Sequence, residues 1–259
     1  MHACRLSRGL DPVPLTSSLS PVHAGEKLTT MCHDFDTSGL KLLSFDVFGT
    51  LISVRDGSYA AFERILRDAG AHHLDIKAFW EAWEERNIEA YWHPYRPYKE
   101  ICRDSLAAAF EAFGVNGRPE TISYYFDAFA GFELYPDVVD TLDRLSSRFK
   151  LAIVSNIDDD LLAATPLKRT FDLVCTAERA KGYKPDGALF RHLLANARVG
   201  REAILHSGQS QFTDLVGAKP LGLTVAWINR RAIPLSPKVP RPDFEFPDIA
   251  SLIPLVMPA

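Results

Sequence analysis

The fold class follows from residues 40–51, which read LKLLSFDVFGTL. The first six of these residues form a short, mostly apolar run that ends at Asp46, the pattern of a buried β-strand with a carboxylate at its C-terminal tip. Similar runs return later in the chain, and helical patterns separate them. This alternation predicts an α/β fold in which helices cover both faces of a parallel sheet. The later strands are predicted at 150–156, 171–175, 203–206 and 223–228, and the helices between them at 136–146, 159–164, 187–197 and 213–221.

After the first strand, the spacing of the apolar residues changes from that of a strand to that of helices. From Tyr59 the apolar side chains recur at helical spacing, and no strand pattern appears before Phe132. We therefore predict a helical insertion at 58–132 within a core that consists of 39–57 and 133–259.

The two ends of the chain carry weaker patterns. Residues 1–38 are polar, contain Pro and Ser and lack sustained periodicity, so we expect a poorly ordered leader there. This leader has no apolar secretory core, and we expect a cytoplasmic protein. Its two arginines and few acids leave an organelle transit peptide open as an alternative, and Met31 is an alternative start. Near the other end, 234–247 is rich in proline and predicts surface loop.

The composition excludes several classes of function. A net charge of −4 and a pI of about 6.1 provide no positive field for nucleic acid. The longest apolar stretch, at 223–228, is far shorter than the ~20 residues of a membrane span. The four cysteines form no Cys-x-x-Cys pair and no Cys/His cluster, so we expect reduced thiols and no zinc. The expected partner is a small molecule, and the oligomeric state stays open, with a homodimer as one alternative.

Polar side chains follow four of the predicted strands. They are Asp46 after the first strand, Ser155 and Asn156 after the second, Lys184 after the third, and residues 209–214 after the fourth. The carboxyl ends of parallel strands meet at one edge of a sheet, so these side chains are expected to converge on one crevice. A carboxylate in such a crevice can act as a nucleophile.

These segments resemble the four motifs of the haloacid dehalogenase superfamily. The matching stretches, in order, are FDVFGTL at 45–51, SN at 155–156, KPD at 184–186 and GQSQFTD at 208–214. Within the superfamily, DVFGT, SNID, YKPD and WINR resemble the type II (S)-2-haloacid dehalogenase branch. The resemblance implies a Rossmann-like core with a helical cap after the first strand, and the helical stretch at 58–132 fits that cap.

The resemblance also implies a role for each motif residue. Asp46 would be the nucleophile, and Lys184 would keep it ionised, since a nearby cation favours the charged form of a carboxyl group. Asp214 would bond Lys184 and help to position the hydrolytic water. The expected donors to the substrate carboxylate or to developing charge are Thr50, Ser155 and Asn156.

The residue at position 48 distinguishes between two expected reactions, hydrolysis of a phosphate ester and displacement of a halide. Phosphatases of the superfamily carry a second Asp two residues after the nucleophile, which protonates an alkoxide leaving group. A phenyl ring cannot donate a proton, whereas a halide leaves without one. We therefore predict displacement of halide from a 2-haloalkanoic acid through an Asp46 ester, with Phe48 in the substrate pocket. The alternatives are a small-metabolite phosphatase, a dehalogenase-like hydrolase of a biosynthetic pathway, and a catalytically silent relative that binds a ligand.

Some positions depart from the dehalogenase pattern. Phe190 stands where those enzymes carry a tyrosine, and Gln209 replaces the acid of the phosphatase fourth motif. We expect no cofactor and no metal, with Mg²⁺ required only in the phosphatase alternative. An arginine could clamp the substrate carboxylate through two parallel hydrogen bonds, and Arg96 is the candidate for this role. Arg86 and Arg55 are alternatives.

Overall fold

The computed structural model describes residues 37–258, so the leader predicted at 1–38 lies almost wholly outside the described residues. The strands in chain order are β1 (Leu42–Phe45), β2 (Ile52–Ser53), β3 (Glu133–Leu134), β4 (Lys150–Ser155), β5 (Leu173–Thr176), β6 (Ile204–Gly208), β7 (Thr224–Ile228) and β8 (Phe244–Phe246). Six of them form a parallel sheet in the order β5–β4–β1–β6–β7–β8. The predicted α/β fold with a parallel sheet is confirmed.

Helices occupy the connections between the strands. They are α1 (Arg55–Asp68), α2 (Ile76–Ala90), α3 (Tyr98–Ala112), α4 (Ser123–Asp127), α5 (Val138–Ser146), α6 (Asp159–Ala164), α7 (Ala177–Ala180), α8 (Ala188–Asn196), α9 (Val216–Ala218) and α10 (Leu252–Val256). Shorter helical turns lie at Thr37–Gly39, Pro119–Ile122, Ala128–Gly131, Arg201–Ala203, Gln211–Leu215 and Lys219–Leu221. Within 37–258, no helix combines the length and the apolar character that crossing a membrane requires.

Strand β1 lies between β4 and β6 in the middle of the sheet, and all four of its residues are buried there. Leu43 is paired with Leu151 of β4 on one side and with Leu205 of β6 on the other. Each leucine buried in this way contributes about 1.5–3 kcal/mol to folding. Since β1 ends at Phe45, the next residue, Asp46, is placed at the carboxyl edge of the sheet.

Helices α1 to α4 form an insertion between β2 and β3 and pack on an aromatic cluster of their own. The ring of Phe62 in α1 lies 4.8 Å from that of Trp83 in α2 and 5.8 Å from that of Tyr125 in α4, measured between centroids. Trp83 also donates its indole N–H to the carbonyl oxygen of Cys102 in α3, at 3.0 Å. At the base of the insertion, β2 and β3 pair as an antiparallel ribbon.

The prediction of loop throughout 234–247 is wrong at Phe244–Phe246, which forms β8 and pairs with β7. These three residues contain no proline, and their Phe-Glu-Phe pattern suits a half-buried strand. Prolines can flank them because β8 is an edge strand, whose outer side needs no ladder hydrogen bonds.

The single helix predicted at 213–221 is also wrong in part. The chain forms a π-helical turn at Gln211–Leu215, then the short α9, and then a 3₁₀ turn at Lys219–Leu221. Pro220 stands within this last turn and lacks the backbone N–H that a continuous α-helix would use there.

Candidate active site

The polar segments meet at the carboxyl edge of the sheet. Asp46 follows β1, Ser155 ends β4, and Gly208 ends β6. Because β4, β1 and β6 are neighbours in the sheet, these three strand ends lie side by side. Lys184 reaches the same edge from the loop between α7 and α8.

The Asp46 carboxylate is held at both oxygens. Lys184 Nζ donates to Oδ1 at 2.8 Å, and Thr50 Oγ1 donates to Oδ2 at 2.7 Å. The Thr50 hydroxyl accepts in turn from the backbone N–H of Gln209, at 2.9 Å. Gly49 has a φ of 82°, a conformation that favours glycine and lets this loop turn back toward Asp46. The carboxylate is therefore fixed in orientation while its residue stays 7% exposed, on the wall of a cavity.

Lys184 is the centre of the charged network. It is 1% exposed, and its ammonium donates to Asp46 Oδ1 and Asp214 Oδ1, each at 2.8 Å, and to the carbonyl oxygen of Val154 at 2.9 Å. An ammonium has three donors, so all of them are used. The Asn156 side chain fixes the backbone of Lys184, since it accepts from the lysine N–H and donates to the lysine carbonyl oxygen, both at 2.8 Å.

A buried histidine extends this network beyond Asp214. His206 Nε2 lies 3.3 Å from Asp214 Oδ1, and its Nδ1 lies 3.0 Å from Ser44 Oγ. The backbone N–H of Ser210 donates to Asp214 Oδ2 at 3.0 Å. The ring of Phe190 packs edge-on against the imidazole, with centroids 4.8 Å apart. Asp214 is thus fixed by side chains and backbone from several segments of the core.

Burial and charge act in opposite directions on the three charged groups. Burial raises the pKa of Asp46, and the Lys184 ammonium only partly offsets this rise. Burial also disfavours ionised Asp214, but Lys184 and His206 more than compensate and hold the pKa of Asp214 well below its usual range. Burial disfavours the ammonium of Lys184, yet the two carboxylates raise its pKa above the ordinary value. Asp214 is therefore the more firmly ionised of the two carboxyl groups.

A cavity of about 150 Å³ opens onto Asp46. Phe48 lines it and packs against Phe129 of the insertion, with ring centroids 5.3 Å apart, so hydrocarbon stands beside the carboxylate. The insertion also contributes the aromatic side chains Trp80, Trp83, Tyr91, Tyr98 and Tyr125.

The three predicted donors to a substrate differ in their availability. Thr50 is bonded to Asp46, and Asn156 is bonded to the backbone of Lys184. The Ser155 hydroxyl lines the cavity, is buried and has no hydrogen-bond partner among the described residues. Since buried polar groups are nearly always paired, Ser155 is the donor that a ligand could use.

The structure does not bring Arg96 to this cavity. Its guanidinium lies 2.5 Å from Asp104 and 3.5 Å from Glu100, on a half-exposed surface of α3. These two acids follow Arg96 at spacings of four and eight residues, so they lie on the helix face that Arg96 overlies. Arg86 is paired with Glu89 at 3.0 Å. No arginine of the described residues, Arg55 included, lines the cavity.

Two residues at or near the cavity, Glu84 and His206, were not predicted from the sequence. Glu84 lines the cavity from α2, on the same helix face as Trp80 and Ile88, at a spacing of four residues. A carboxylate within an apolar stripe was the signal in the sequence. His206 stands within the apolar run of β6, where a buried polar side chain requires a partner.

Comparison with known proteins identifies the family. The model of haloacid dehalogenase-like hydrolases matches residues 40–222, so this chain belongs to that family and is a hydrolase. (S)-2-haloacid dehalogenase 4A of Burkholderia cepacia is 26% identical over 217 residues, which cover 80% of this chain and 87% of that protein. Phosphoserine phosphatase of Thermus thermophilus is 26% identical over 247 residues, which cover 81% and 96%.

Solved structures agree with this assignment. A dehalogenase crystallised with an intermediate complex superposes with a TM-score of 0.72 at 25% identity, covering 85% of this chain and 99% of that one. The superfamily predicted from the four motifs is confirmed, as is the resemblance to (S)-2-haloacid dehalogenases.

Proposed function

We propose that this hydrolase displaces a halide from a small 2-haloalkanoic acid, with Asp46 as the nucleophile, and releases a 2-hydroxy acid. The observation that carries the proposal is the environment of Asp46. Both of its oxygens are held, it faces a cavity, and the side chain two positions later is the hydrocarbon of Phe48. A halide leaves without a proton, whereas an alkoxide requires a general acid.

In the first step, a carboxylate oxygen of Asp46 attacks C2 of the substrate from the side opposite the halogen. The new C–O bond forms as the carbon–halogen bond breaks, and the halide leaves with the bonding electron pair. The product is an ester of Asp46 with inverted configuration at C2. Asp46 loses its charge in this step, but the Lys184 ammonium stays paired with Asp214, so no buried charge is left alone.

In the second step, water attacks the carbonyl carbon of the ester. The bond from this carbon to the ester oxygen breaks, so this former Asp46 oxygen leaves with C2 as the product hydroxyl and the water oxygen stays in Asp46. One water proton goes to the alcohol oxygen of the product, and the other is released to solvent as the Asp46 carboxylate is restored. One Asp46 oxygen becomes the ester oxygen, so the oxyanion develops at the other. When Oδ2 forms the ester, Lys184 lies at Oδ1 and is placed to stabilise that oxyanion, while Thr50 lies at the ester oxygen. Asp214 would orient the water through its contact with Lys184.

The substrate carboxylate requires hydrogen-bond donors, and the core and α2 each offer one to the cavity. The Ser155 hydroxyl and the Trp80 indole N–H both line the cavity, are buried and lack partners among the described residues. We assign the carboxylate oxygens to these two donors, in place of the arginine clamp expected at Arg96.

Chloride release from (S)-2-chloropropanoate tests the proposal, with and without a chelator. The wild type should release chloride in both conditions, because the proposed steps use no metal. Asp46→Asn should reduce the rate by about a thousandfold or more, as expected for loss of a nucleophile. Asp160→Asn is the matched control, since this exposed acid pairs only with Lys99 and should leave the rate unchanged.

A single turnover in ¹⁸O-water, with enzyme in excess, separates the two steps. The label should enter Asp46 and be absent from the first hydroxy acid formed. Label appearing first in the product, or chloride release by Asp46→Asn at the wild-type rate, would contradict the proposed mechanism.

The similarity to a phosphoserine phosphatase keeps a second candidate in view. Mg²⁺ is usually bound by one or two carboxylates together with water and substrate oxygens. Here Asp46 and Asp214 are bridged by Lys184, and Gln209 offers only an amide, which weakens a Mg²⁺ site. Since Phe48 also cannot protonate an alkoxide leaving group, we expect no hydrolysis of phosphoserine with Mg²⁺. Brisk Mg²⁺-dependent hydrolysis would favour the phosphatase.

A further inference from the structure

The last residue of the WINR motif, Arg230, lies outside the cavity beside Asp46. It follows the last residue of β7 by two positions, and it is not among the residues that line that cavity. Its side chain is only 10% exposed. A guanidinium in such a position needs close partners, because withdrawing an unpaired charge from water is costly. The partners of Arg230 therefore indicate its role.

The segment that follows β3 fixes the guanidinium of Arg230. Its two terminal nitrogens donate to the two carboxylate oxygens of Asp137, at 2.9 and 3.0 Å. The centre of the guanidinium lies 3.9 Å from the centroid of the Tyr135 ring, so the cation also rests on an aromatic face. Asp137 is itself held, since its Oδ2 accepts from the backbone N–H of Ile249 at 2.9 Å. A bidentate pair leaves a planar guanidinium little freedom to rotate.

A third donor of the guanidinium reaches the loop that follows Asp46. Arg230 Nε donates to the backbone carbonyl oxygen of Thr50 at 2.9 Å. Thr50 is fully buried and precedes β2, so its carbonyl takes no part in the ribbon of β2 and β3. The hydroxyl of the same threonine donates to Asp46 Oδ2 at 2.7 Å. Thr50 thus connects Arg230, at its backbone, with Asp46, at its side chain.

We propose that Arg230 is a positioning residue for the nucleophile. By holding the carbonyl group of Thr50, it keeps the Thr50 hydroxyl directed at Oδ2 of Asp46, and it acts on the reaction only through that contact. The role of Asp46 as nucleophile is taken from the proposed function, on which this inference rests.

The pKa of Asp46 reports the contact with Thr50 without any turnover. A hydrogen bond to a carboxylate favours its ionised form, and the Thr50 hydroxyl lowers the pKa of Asp46 in this way. The other groups that act on this carboxyl are Lys184, which lowers its pKa, and Asp214, which raises it. Both stay in place when Arg230 is changed, so a shift in the Asp46 titration then reports Thr50.

Arg230→Lys tests the proposal and retains the positive charge. A lysine can still pair with Asp137, but it has a methylene group in place of Nε, so the Thr50 carbonyl loses its donor. The titration is followed by ¹³C NMR of aspartate carboxyl groups, with the Asp46 signal assigned by its absence in Asp46→Asn. Arg230→Lys should raise the Asp46 midpoint by about 0.5 pH unit or more, the size of one weakened hydrogen bond.

Lys219→Met is the matched control for the loss of a partly buried ion pair. Lys219 donates to both carboxylate oxygens of Asp243, at 2.7 and 2.8 Å, and neither residue contacts the loop that follows Asp46. This variant should lose stability and leave the Asp46 midpoint within about 0.2 pH unit of the wild type. An equal rise in Lys219→Met would mean that the shift reflects loosening of the fold, and the positioning role would fail.

Thr50→Val separates an effect through Thr50 from any other route. This change should raise the Asp46 midpoint at least as much as Arg230→Lys does. In the double variant Thr50→Val/Arg230→Lys, the midpoint should stay within about 0.2 pH unit of Thr50→Val alone. Shifts that add in full, or an unchanged midpoint in Arg230→Lys, would overturn the proposal.

Turnover provides the second readout. At a pH where Asp46 is ionised, kcat for chloride release from (S)-2-chloropropanoate should fall about threefold to tenfold in Arg230→Lys, because a misdirected carboxylate attacks less efficiently. KM should stay within about twofold, since Arg230 does not line the cavity. A rise in KM with kcat unchanged would overturn the positioning role. If the wild type released no chloride, the proposed dehalogenation would fail, and the NMR titration would still decide whether Arg230 positions Asp46.

Discussion

The two walls of the cavity differ in how completely their polar groups are paired. On the core wall, Asp46 and Lys184 line the cavity and Asp214 is buried behind them, and each of these charged groups is hydrogen-bonded within the protein. On the helical wall, formed by the face of α2, the buried Trp80 indole N–H has no hydrogen-bond partner among the described residues, and Glu84 is exposed to solvent. The reacting groups are thus held before a substrate arrives, whereas the groups that face the substrate are left for it to satisfy.

This difference assigns catalysis to the core wall and substrate specificity to the helical wall. A network that is already in place needs no reorganisation during the reaction, which is the basis of electrostatic catalysis. The buried, unpaired indole N–H of Trp80 on the other wall carries a free-energy cost that a ligand with a hydrogen-bond acceptor removes. Chemistry is therefore expected to respond to changes in the core wall, and specificity to changes in α2.

The largest effect on stability is expected from Lys184→Met. This change leaves the buried carboxylates of Asp46 and Asp214 without their shared cation, which should lower the free energy of unfolding by about 3–5 kcal/mol. Chloride release should fall by about 10²–10³-fold as the oxyanion loses its donor. Urea titration and halide assay measure the two effects. A stable and active Lys184→Met protein would mean that the core wall does not depend on its charged centre.

The two carboxylates on Lys184 should differ in their contribution to stability. The pKa of Asp214 is lowered in the folded state, so its ionisation stabilises the fold above the unfolded pKa of about 3.9, and this contribution is lost as the pH falls through the folded value. Asp214→Asn should therefore cost about 2–3 kcal/mol at pH 7.

Asp46 is the matched comparison for this effect. The pKa of Asp46 is raised, so its ionisation opposes folding at neutral pH, and Asp46→Asn should leave the unfolding free energy unchanged or increase it. Urea titrations of both variants at pH 7 measure the difference. A larger loss for Asp46→Asn than for Asp214→Asn would contradict it.

The raised pKa of Asp46 also predicts how the rate depends on pH. The nucleophile acts only when ionised, so kcat/KM should fall about tenfold per pH unit on the acid side. The midpoint of this limb should lie above the ordinary Asp value of about 3.9. A pH–rate profile for chloride release measures it, with protein stability followed at each pH. A midpoint at or below the ordinary value would mean that Lys184 overcomes burial at Asp46.

Most of the fold was predictable because the four inner strands of the sheet, β4, β1, β6 and β7, are almost wholly buried. Such strands appear in the sequence as apolar runs, and the run in β1 placed Asp46 at the sheet edge directly. Edge strand β8 was missed because it has only three residues between prolines and gains its stability from pairing with β7. Periodicity over so short a stretch carries too little information to predict a strand.

In the candidate site, the charged residues of the core were predictable from the sequence, whereas the residues that the insertion brings to the cavity were not. Asp46, Lys184 and Asp214 follow predicted strands, so topology alone brings them to one edge. Whether an arginine or Glu84 reaches the cavity depends on how helices of the insertion pack against the core, and spacing along α2 and α3 does not fix that. The role of His206 was not predicted for another reason. Its position within a buried strand is typical of a core residue, and its contact with Asp214 arises only from tertiary packing.

His206→Leu should have a smaller effect than the changes at the charged groups. It removes one contact to Asp214 and leaves the buried Ser44 hydroxyl without a partner, which should cost about 1–2 kcal/mol. The rate constant kcat should fall about fivefold to tenfold with KM nearly unchanged, since His206 would act only through Asp214. In the double variant Ser44→Ala/His206→Leu, stability should recover in part while kcat stays low. A change in KM alone would argue against a positioning role.

The smallest effect is expected from Arg96→Ala. The Arg96 guanidinium lies on a half-exposed surface and pairs with Asp104 and Glu100, and exposed pairs of this kind contribute at most about 1 kcal/mol. KM for 2-chloropropanoate should stay within about twofold of the wild type, as should KM for the neighbouring control Arg103→Ala, which pairs with the same Asp104. Steady-state kinetics of both variants decide this. A tenfold rise in KM confined to Arg96→Ala would mean that Arg96 reaches the substrate carboxylate in the complex. The assignment of that carboxylate to Ser155 and Trp80 would then fail.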